Sequence, residues 1–180
     1  MKILKIFLSI VAILLSFVLV IAAVAPSNYA LKREIVISKS NNDVFNYIKF
    51  LKNMDNYSAW AKLDPNMKKS YKGTDGTVGF ITTWESKHEH VGKGEQEILN
   101  IIEGERIDTE LRFYLPFEAT DKAFLSTEKI SDTETKVTWG FDGNMPYPMN
   151  LMLLVMDMEK ELGVPLADGL KSLKEILEKE

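Results

Sequence analysis

Few residues in this chain are of a type and spacing suited to chemistry. His88-Glu89-His90 sets two imidazoles on the same side of a strand or loop, a pairing that metal sites often use. A catalytic zinc takes three protein ligands, and the chain holds only these two histidines and no cysteine. An acidic third ligand is the one way to complete the set, so the motif reads as an exposed hairpin and no metal or other cofactor is expected. Gly73, Gly76 and Gly79, then Gly92 and Gly94, have the composition of a phosphate loop. No Lys-Ser/Thr follows the first group and no helix opens on it, so nothing is there to cradle a phosphate. These read as turn and bulge glycines of a curved sheet. Ser58 and Ser126 lack a recognisable triad setting, and Asn56-Tyr57-Ser58 matches a glycosylation sequon by chance.

Carboxylates offer a second chemistry. Glu95 and Glu97 share one strand face, and Asp108 and Glu110 another. Alternating strand carboxylates usually face water. Glu95 is the exception worth following, because it comes after Gly94 in GKGEQE. Pointing inward, it would be a lone acid in an apolar cavity, able to move a proton. It is the single candidate catalytic residue.

The strongest signal is apolar. Trp60, Phe80, Trp84, Phe113, Phe124, Trp139 and Phe141 fall mostly on inward strand positions and are expected to line a ligand pocket or fill a core. Five of the eight methionines, Met145, Met149, Met152, Met156 and Met158, cluster within 14 residues. Thioethers adapt to irregular apolar shapes, so Met152 and Met156 are expected to gate the pocket.

Elements must position these side chains. Leu31 to Ser38 reads as a strand. Ser40-Asn41-Asn42-Asp43 opens a helix with Val44, Tyr47, Ile48 and Leu51 on one face. Asn53 to Asn66 reads as loop. Strand patterns follow at Met67 to Lys72, Thr77 to Glu85, Val91 to Ile102, Arg106 to Phe117, Ala119 to Ile130 and Thr135 to Phe141, separated by turns at hairpin distance. An antiparallel meander with one covered face is expected. Met149 to Leu162 reads as an apolar helix. After Gly163-Val164-Pro165, a last helix carries Leu166, Leu170, Leu173 and Leu177 as one stripe.

At the other end, Ile6 to Ala25 contains no charge. Twenty such residues rise about 30 Å in a helix, the thickness of a bilayer's hydrocarbon core. The run exceeds a typical signal-peptide core, and its one cleavage-like triplet, Ala23-Val24-Ala25, is followed by Pro26. Residues 1–26 therefore read as an uncleaved transmembrane anchor, with residues 3–25 in the membrane and residues 27–180 as one further domain. Lys2 and Lys5 favour a cytoplasmic N-terminus and an extracytoplasmic body. Without these two lysines, the body carries 20 basic and 26 acidic side chains, a net charge of −6, which argues against nucleic acid as a partner.

In element order and spacing, the body resembles the START-like, polyketide-cyclase/dehydrase superfamily. The resemblance rests on SNNDVFNYIKFLKNMDNYSAW after the first strand, GTVGFITTWES, VGKGEQEILNIIEGERIDTELRF, and TKVTWGFDG before the final helices. It covers roughly Tyr29 to Leu177. It implies an α+β helix-grip fold: a curved antiparallel sheet of about seven strands wrapped round a long C-terminal helix, with a cavity between them. That fold hosts carriers, cyclases, hydrolases and regulatory modules, so it fixes little of the chemistry. Three functions stay open. The first is a membrane-anchored module binding an apolar or amphipathic small molecule, such as a lipid or polyketide-like compound. The second is a cyclase- or dehydratase-type enzyme using a cavity carboxylate. The third is a non-catalytic structural or interaction module.

Overall fold

A computed structural model describes residues 2–179. Helix α1 (Lys2–Val24) leads into β1 (Asn28–Ile37), α2 (Asn41–Ile48) and two short helices, α3 (Met54–Tyr57) and α4 (Ala59–Leu63). Six strands follow: β2 (Lys68–Lys72), β3 (Ile81–Glu85), β4 (Lys93–Ile102), β5 (Arg106–Leu115), β6 (Ala119–Lys129) and β7 (Thr135–Asn144). A 3₁₀ turn at Met149–Leu154 and a wide π-type turn at Glu159–Gly163 lead into the C-terminal helix α5 (Val164–Lys179). The seven strands form one antiparallel sheet in the order β1-β7-β6-β5-β4-β3-β2. The expected α+β helix-grip architecture is the one observed.

Local chemistry explains most boundaries. Ser40 caps α2: its Oγ accepts from the Asp43 backbone N–H at 3.2 Å and donates to the Asp43 carboxylate at 2.6 Å. The α2 face of Val44, Phe45 and Ile48 is buried. The residues expected as loop from Asn53 to Asn66 instead form α3 and α4. Burial of Tyr57 beneath them, with Trp60 half-buried, outweighs the weak local signal. The strand expected from Thr77 starts only at Ile81. Gly79 has φ +85°, and this left-handed backbone interrupts the ladder, leaving Val78 exposed. The apolar stretch Met149 to Leu162 is not one helix. Pro146 and Pro148 stand at its entry, and the chain turns twice before α5.

β1 begins at Asn28, three residues earlier than its pattern indicated, so only Ala25-Pro26-Ser27 separates it from α1. α1 is 23 residues long and apolar enough to cross a membrane. It stands free of the body except at its last turn. There Ala22 is buried, and the Asn150 side-chain amide donates to the carbonyls of Ala22 (2.7 Å) and Ala25 (3.1 Å). The Met145 N–H donates to Ser27 O at 2.8 Å.

α5 lies along β1. At its C-terminal end Glu178 accepts from the Ser38 N–H at 2.6 Å, and Lys174 donates to Val36 O at 2.6 Å. At the other end Arg33 pairs with Glu159, just before α5. The half of the grip far from α1 is solid. Ile37, Val44, Ile48, Ile98, Ile107, Val137, Leu170 and Leu173 are all fully or almost fully buried there. The half nearer α1 is different.

Candidate functional site: a cavity in the half nearer α1

Between the sheet and the start of α5 lies a cavity of about 210 Å³. Sheet residues Thr82, Trp84, Gln96, Leu111, Phe113, Ala123, Trp139 and Phe141 form its floor, and Leu162 and Leu166 its roof. Met54, Ser58 and Trp60 close one side from α3 and α4, and His90 and Val91 close another from the β3–β4 turn. The rim is open to solvent at Asp55 and His90, with Ala61, Met67 and Leu162 half-exposed.

Two glycines make room for the aromatic wall. On Gly94 a Cβ would lie 2.5 Å from the Arg112 carbonyl and 2.6 Å from the Trp84 ring, so its absence lets the Trp84 indole lie across β4. A Cβ on Gly169 of α5 would meet the Trp139 ring at 2.6 Å, so the helix packs directly on that indole. Trp84 meets Phe113 edge-on at 5.9 Å, and Trp139 meets Tyr57 at 5.7 Å and Trp60 at 6.1 Å, both edge-on. Trp84 Nε1 donates to Val91 O at 3.1 Å, so its ring can face the cavity without an orphan donor. All three tryptophans of the chain line this space.

The sequence missed the most informative polar group, Gln96. It is buried on the cavity floor, and its Nε2 donates to Thr109 Oγ1 at 3.0 Å. Thr109 has one hydroxyl proton, donated to Ala123 O at 3.2 Å, so its oxygen must accept from Gln96. This fixes the amide orientation and leaves Gln96 Oε1 as an acceptor for whatever occupies the cavity. Strand alternation places residue 96 inward, but a glutamine between two glutamates in GKGEQE reads as surface. Charge enters only at the rim, where Lys69 pairs with Asp55 at 2.6 Å.

Five of the aromatic residues expected in the pocket, Trp60, Trp84, Phe113, Trp139 and Phe141, do meet there. Phe80 faces inward but belongs to the solid core, stacked on Tyr71 at 6.2 Å. Phe124 is on the opposite face of the sheet, because on β6 it is Ala123 and Leu125 that are buried inward. Its ring covers Gly140, with the Arg106 guanidinium 3.8 Å from its centroid. Met152 and Met156 do not reach the cavity either. They belong to the turn against α1, where Pro148 and the Asn150 clamp divert the chain.

Glu95 points away from the cavity. Inward-facing Gly94 and Gln96 flank it on β4, and Arg112 binds it at 2.6 Å on the outer face, along with Glu97 and Glu110 at 2.6 Å each. Hydrogen bonding to these carboxylates, to Glu97 above all, raises the Arg112 pKa and keeps it protonated. His88 and His90 lie with ring centroids 5.8 Å apart and planes tilted by 45°, and among the described residues no three His, Cys, Asp or Glu side chains converge to hold a metal.

One inward carboxylate escaped notice. Asp121 is buried on β6; it accepts from the Asn144 N–H at 3.1 Å and from the Tyr29 hydroxyl at 3.4 Å. Burial, only partly offset by these bonds, raises its pKa above the usual carboxylate value. A raised native pKa means stability is complete below the ordinary carboxylate pKa, about 4, and is lost as pH rises through the higher native value. Asp121→Asn should remove that loss. Chemical unfolding in nanodiscs from about pH 4 to 7 should show the variant gaining on the parent as pH rises. A constant difference across that range would mean Asp121 titrates normally.

No protein-family model matches the chain, and no curated protein matches it. Solved structures do. Norcoclaurine synthase from Thalictrum flavum, in complex with dopamine and hydroxybenzaldehyde, aligns at 12% identity and TM-score 0.65, over 89% of this chain and 92% of its own. This is a START-like, helix-grip fold. Two further START-like neighbours differ widely in source. Ginseng major latex-like protein 151 from Panax ginseng aligns at 15% identity and TM-score 0.60, over 84% of this chain and 98% of its own. The Aha1 dimer from Colwellia psychrerythraea gives 14% and 0.55, over 83% and 96%. At such identities the START-like likeness concerns the fold, and the cavity must speak for the site.

Proposed function

We propose that this chain is a membrane-anchored START-like domain that holds an apolar or amphipathic small molecule between the sheet and α5. The observation that carries this reading is the hollow half of the grip, walled by five aromatic rings with one oriented acceptor, Gln96 Oε1, on its floor. The lining is mainly apolar, so burial of apolar ligand surface at roughly 25 cal/mol per Å² drives binding. Its 210 Å³ is below the roughly 300–1,000 Å³ of drug-sized sites. A single ring system or one acyl segment fits, whereas a whole two-chain lipid does not. The ligand carries a hydroxyl or N–H for Gln96. One START-like neighbour is recorded with dopamine and hydroxybenzaldehyde, which are ligands of single-ring size. The acid named for the enzymatic alternative is misplaced: Glu95 lies outside, Asp55, at the rim, is held by Lys69, and the buried Asp121 is not part of the cavity lining.

The three tryptophans make the test direct, since selectively excited tryptophan emission reports on the cavity wall. Full-length protein in nanodiscs, titrated with a phenol and with its methyl ether, should bind the phenol more tightly. Gln96→Leu should erase that preference, at a cost of about 1 kcal/mol or fivefold in phenol affinity. Equal binding of both by the parent chain, or no spectral change at all, would remove the reading.

α1 is read as the anchor, crossing the bilayer once with Lys2 and Lys5 on the cytoplasmic side. Protease added to intact spheroplasts should then digest the body. Full protection would reverse the assigned orientation.

A further inference from the structure

The strand registers put one set of chain segments at the α1 end of the sheet. β1 starts there, β7 ends at Asn144, β5 ends at Leu115, β6 starts at Ala119, and the β3–β4 turn closes between Glu85 and Lys93. Glu118 and Ala119 line one groove with Asn144 and Pro146, so the β5–β6 turn and the exit of β7 are neighbours. Large apolar side chains at this end stand in water. Phe117 is 62% exposed and Val155 85%, and Leu115, Tyr147, Met149 and Leu154 are exposed with them.

Among the described residues nothing covers these side chains, yet the chain itself names their occupant. α1 leaves from the same end, and only three residues separate it from β1. Asn150, at the centre of the exposed turn, holds the last carbonyls of α1, so the turn is fixed against the helix and cannot swing away. Charge on these segments is mixed: Glu118, Asp157 and Glu159 are offset by Lys122 and Lys160, and Glu85 and Glu89 at the β3–β4 turn by Lys87 and Lys93. Attraction to anionic headgroups is therefore not the driving term. Side chains of this kind, Tyr included, are at home at the headgroup–acyl boundary.

Resting on the reading that α1 spans a bilayer, we propose that this end is a seating surface on that same bilayer. Leu115, Phe117, Tyr147, Met149, Leu154 and Val155 enter the headgroup–acyl boundary, and the cavity is thereby held in the half of the domain next to the lipid. A ligand dissolved in the membrane then has only a short path to the rim between α4, the β3–β4 turn and the start of α5.

The absence of cysteine makes the test clean. Single variants Phe117→Cys, Val155→Cys, Leu14→Cys in α1 and Asp132→Cys in the turn at the far end each carry an environment-sensitive fluorophore. Each full-length chain is placed in phosphatidylcholine nanodiscs, with and without lipid bearing an acyl-chain quencher. Labels at 117 and 155 should be blue-shifted and lose most of their emission, as the label at 14 does, while the label at 132 stays bright. If 14 is quenched but 117 and 155 match 132, α1 is in the membrane and the seating surface is refuted. If 14 is also unquenched, the anchor reading itself fails. Quenching of 117 and 155 that requires anionic lipid would overturn apolar seating in favour of an electrostatic contact.

Discussion

Leu173→Ala is expected to destabilise the domain by about 2–5 kcal/mol, whereas Leu162→Ala should cost about 1 kcal/mol or less. Both are leucines in the α5 region, eleven residues apart in the chain, and both pack towards the sheet. Leu173 is fully buried in the solid half of the grip. Its truncation opens a void in the buried cluster to which Ile37, Val44, Ile48 and Val137 also belong, and in a close-packed interior the cavity cost adds to the lost transfer energy. Leu162 already borders empty space and is half-exposed. Shortening it only enlarges a hollow that exists, and only part of its transfer energy is lost. Paired denaturant titrations in nanodiscs measure both. If the two costs were equal, the division of the interior into a packed and a hollow half would be wrong.

Ala123→Phe should separate ligand binding from stability. Ala123 is buried on the cavity floor between Thr109 on β5 and Phe141 on β7. A phenyl ring there projects into the space assigned to the ligand, and affinity should fall at least tenfold, about 1.4 kcal/mol. The same ring gains roughly 1.5–3 kcal/mol of burial against 1–3 kcal/mol of packing strain, so stability should be unchanged or slightly higher. Leu125→Phe, one inward position further along β6 and in the solid half, should instead lose about 1–3 kcal/mol to overpacking. Tryptophan-fluorescence titration and unfolding curves on the same samples give both numbers. A scaffold with no ligand would show a stability gain for Ala123→Phe and no binding to lose.

Much of this was readable from residues alone, for one reason: period. The seven strands, the capped α2 and the leucine stripe of α5 follow from alternation and from helical spacing, and the inward set Trp84, Phe113, Trp139 and Phe141 follows with them. Errors arose where period was lost or phase was ambiguous. Phe124 lies in a strand with apolar residues on both faces, Ala123 and Leu125 on one side and Phe124 on the other. Size drew attention to the wrong one. Glu95 and Gln96 exchange faces on a shift of one residue, and the β-bulges of β4 make that phase hard to count from its ends. Composition alone places Met152 and Met156 in a helix, while the prolines at 146 and 148 and the clamp by Asn150 dictate turns. Gln96 as a cavity acceptor needed the Gln96–Thr109–Ala123 hydrogen-bond chain, which crosses three strands and which no local pattern encodes.

The sheet's open order leaves β1 and β2 as its two edges, and unpaired edge strands invite other chains to add to them. This protein blocks each by different means. β2 is five residues long, and three of them, Lys68, Lys69 and Lys72, are lysines, so a copy pairing with it would set like charges side by side. On β1 two of the backbone acceptors are already engaged, with Lys32 O receiving Arg33 and Val36 O receiving Lys174 from α5. The last helix thus does a second job besides gripping the sheet: it takes up hydrogen-bonding capacity that a neighbouring copy would otherwise find. Neutralising Lys174 would be felt first as self-association, before any loss of fold.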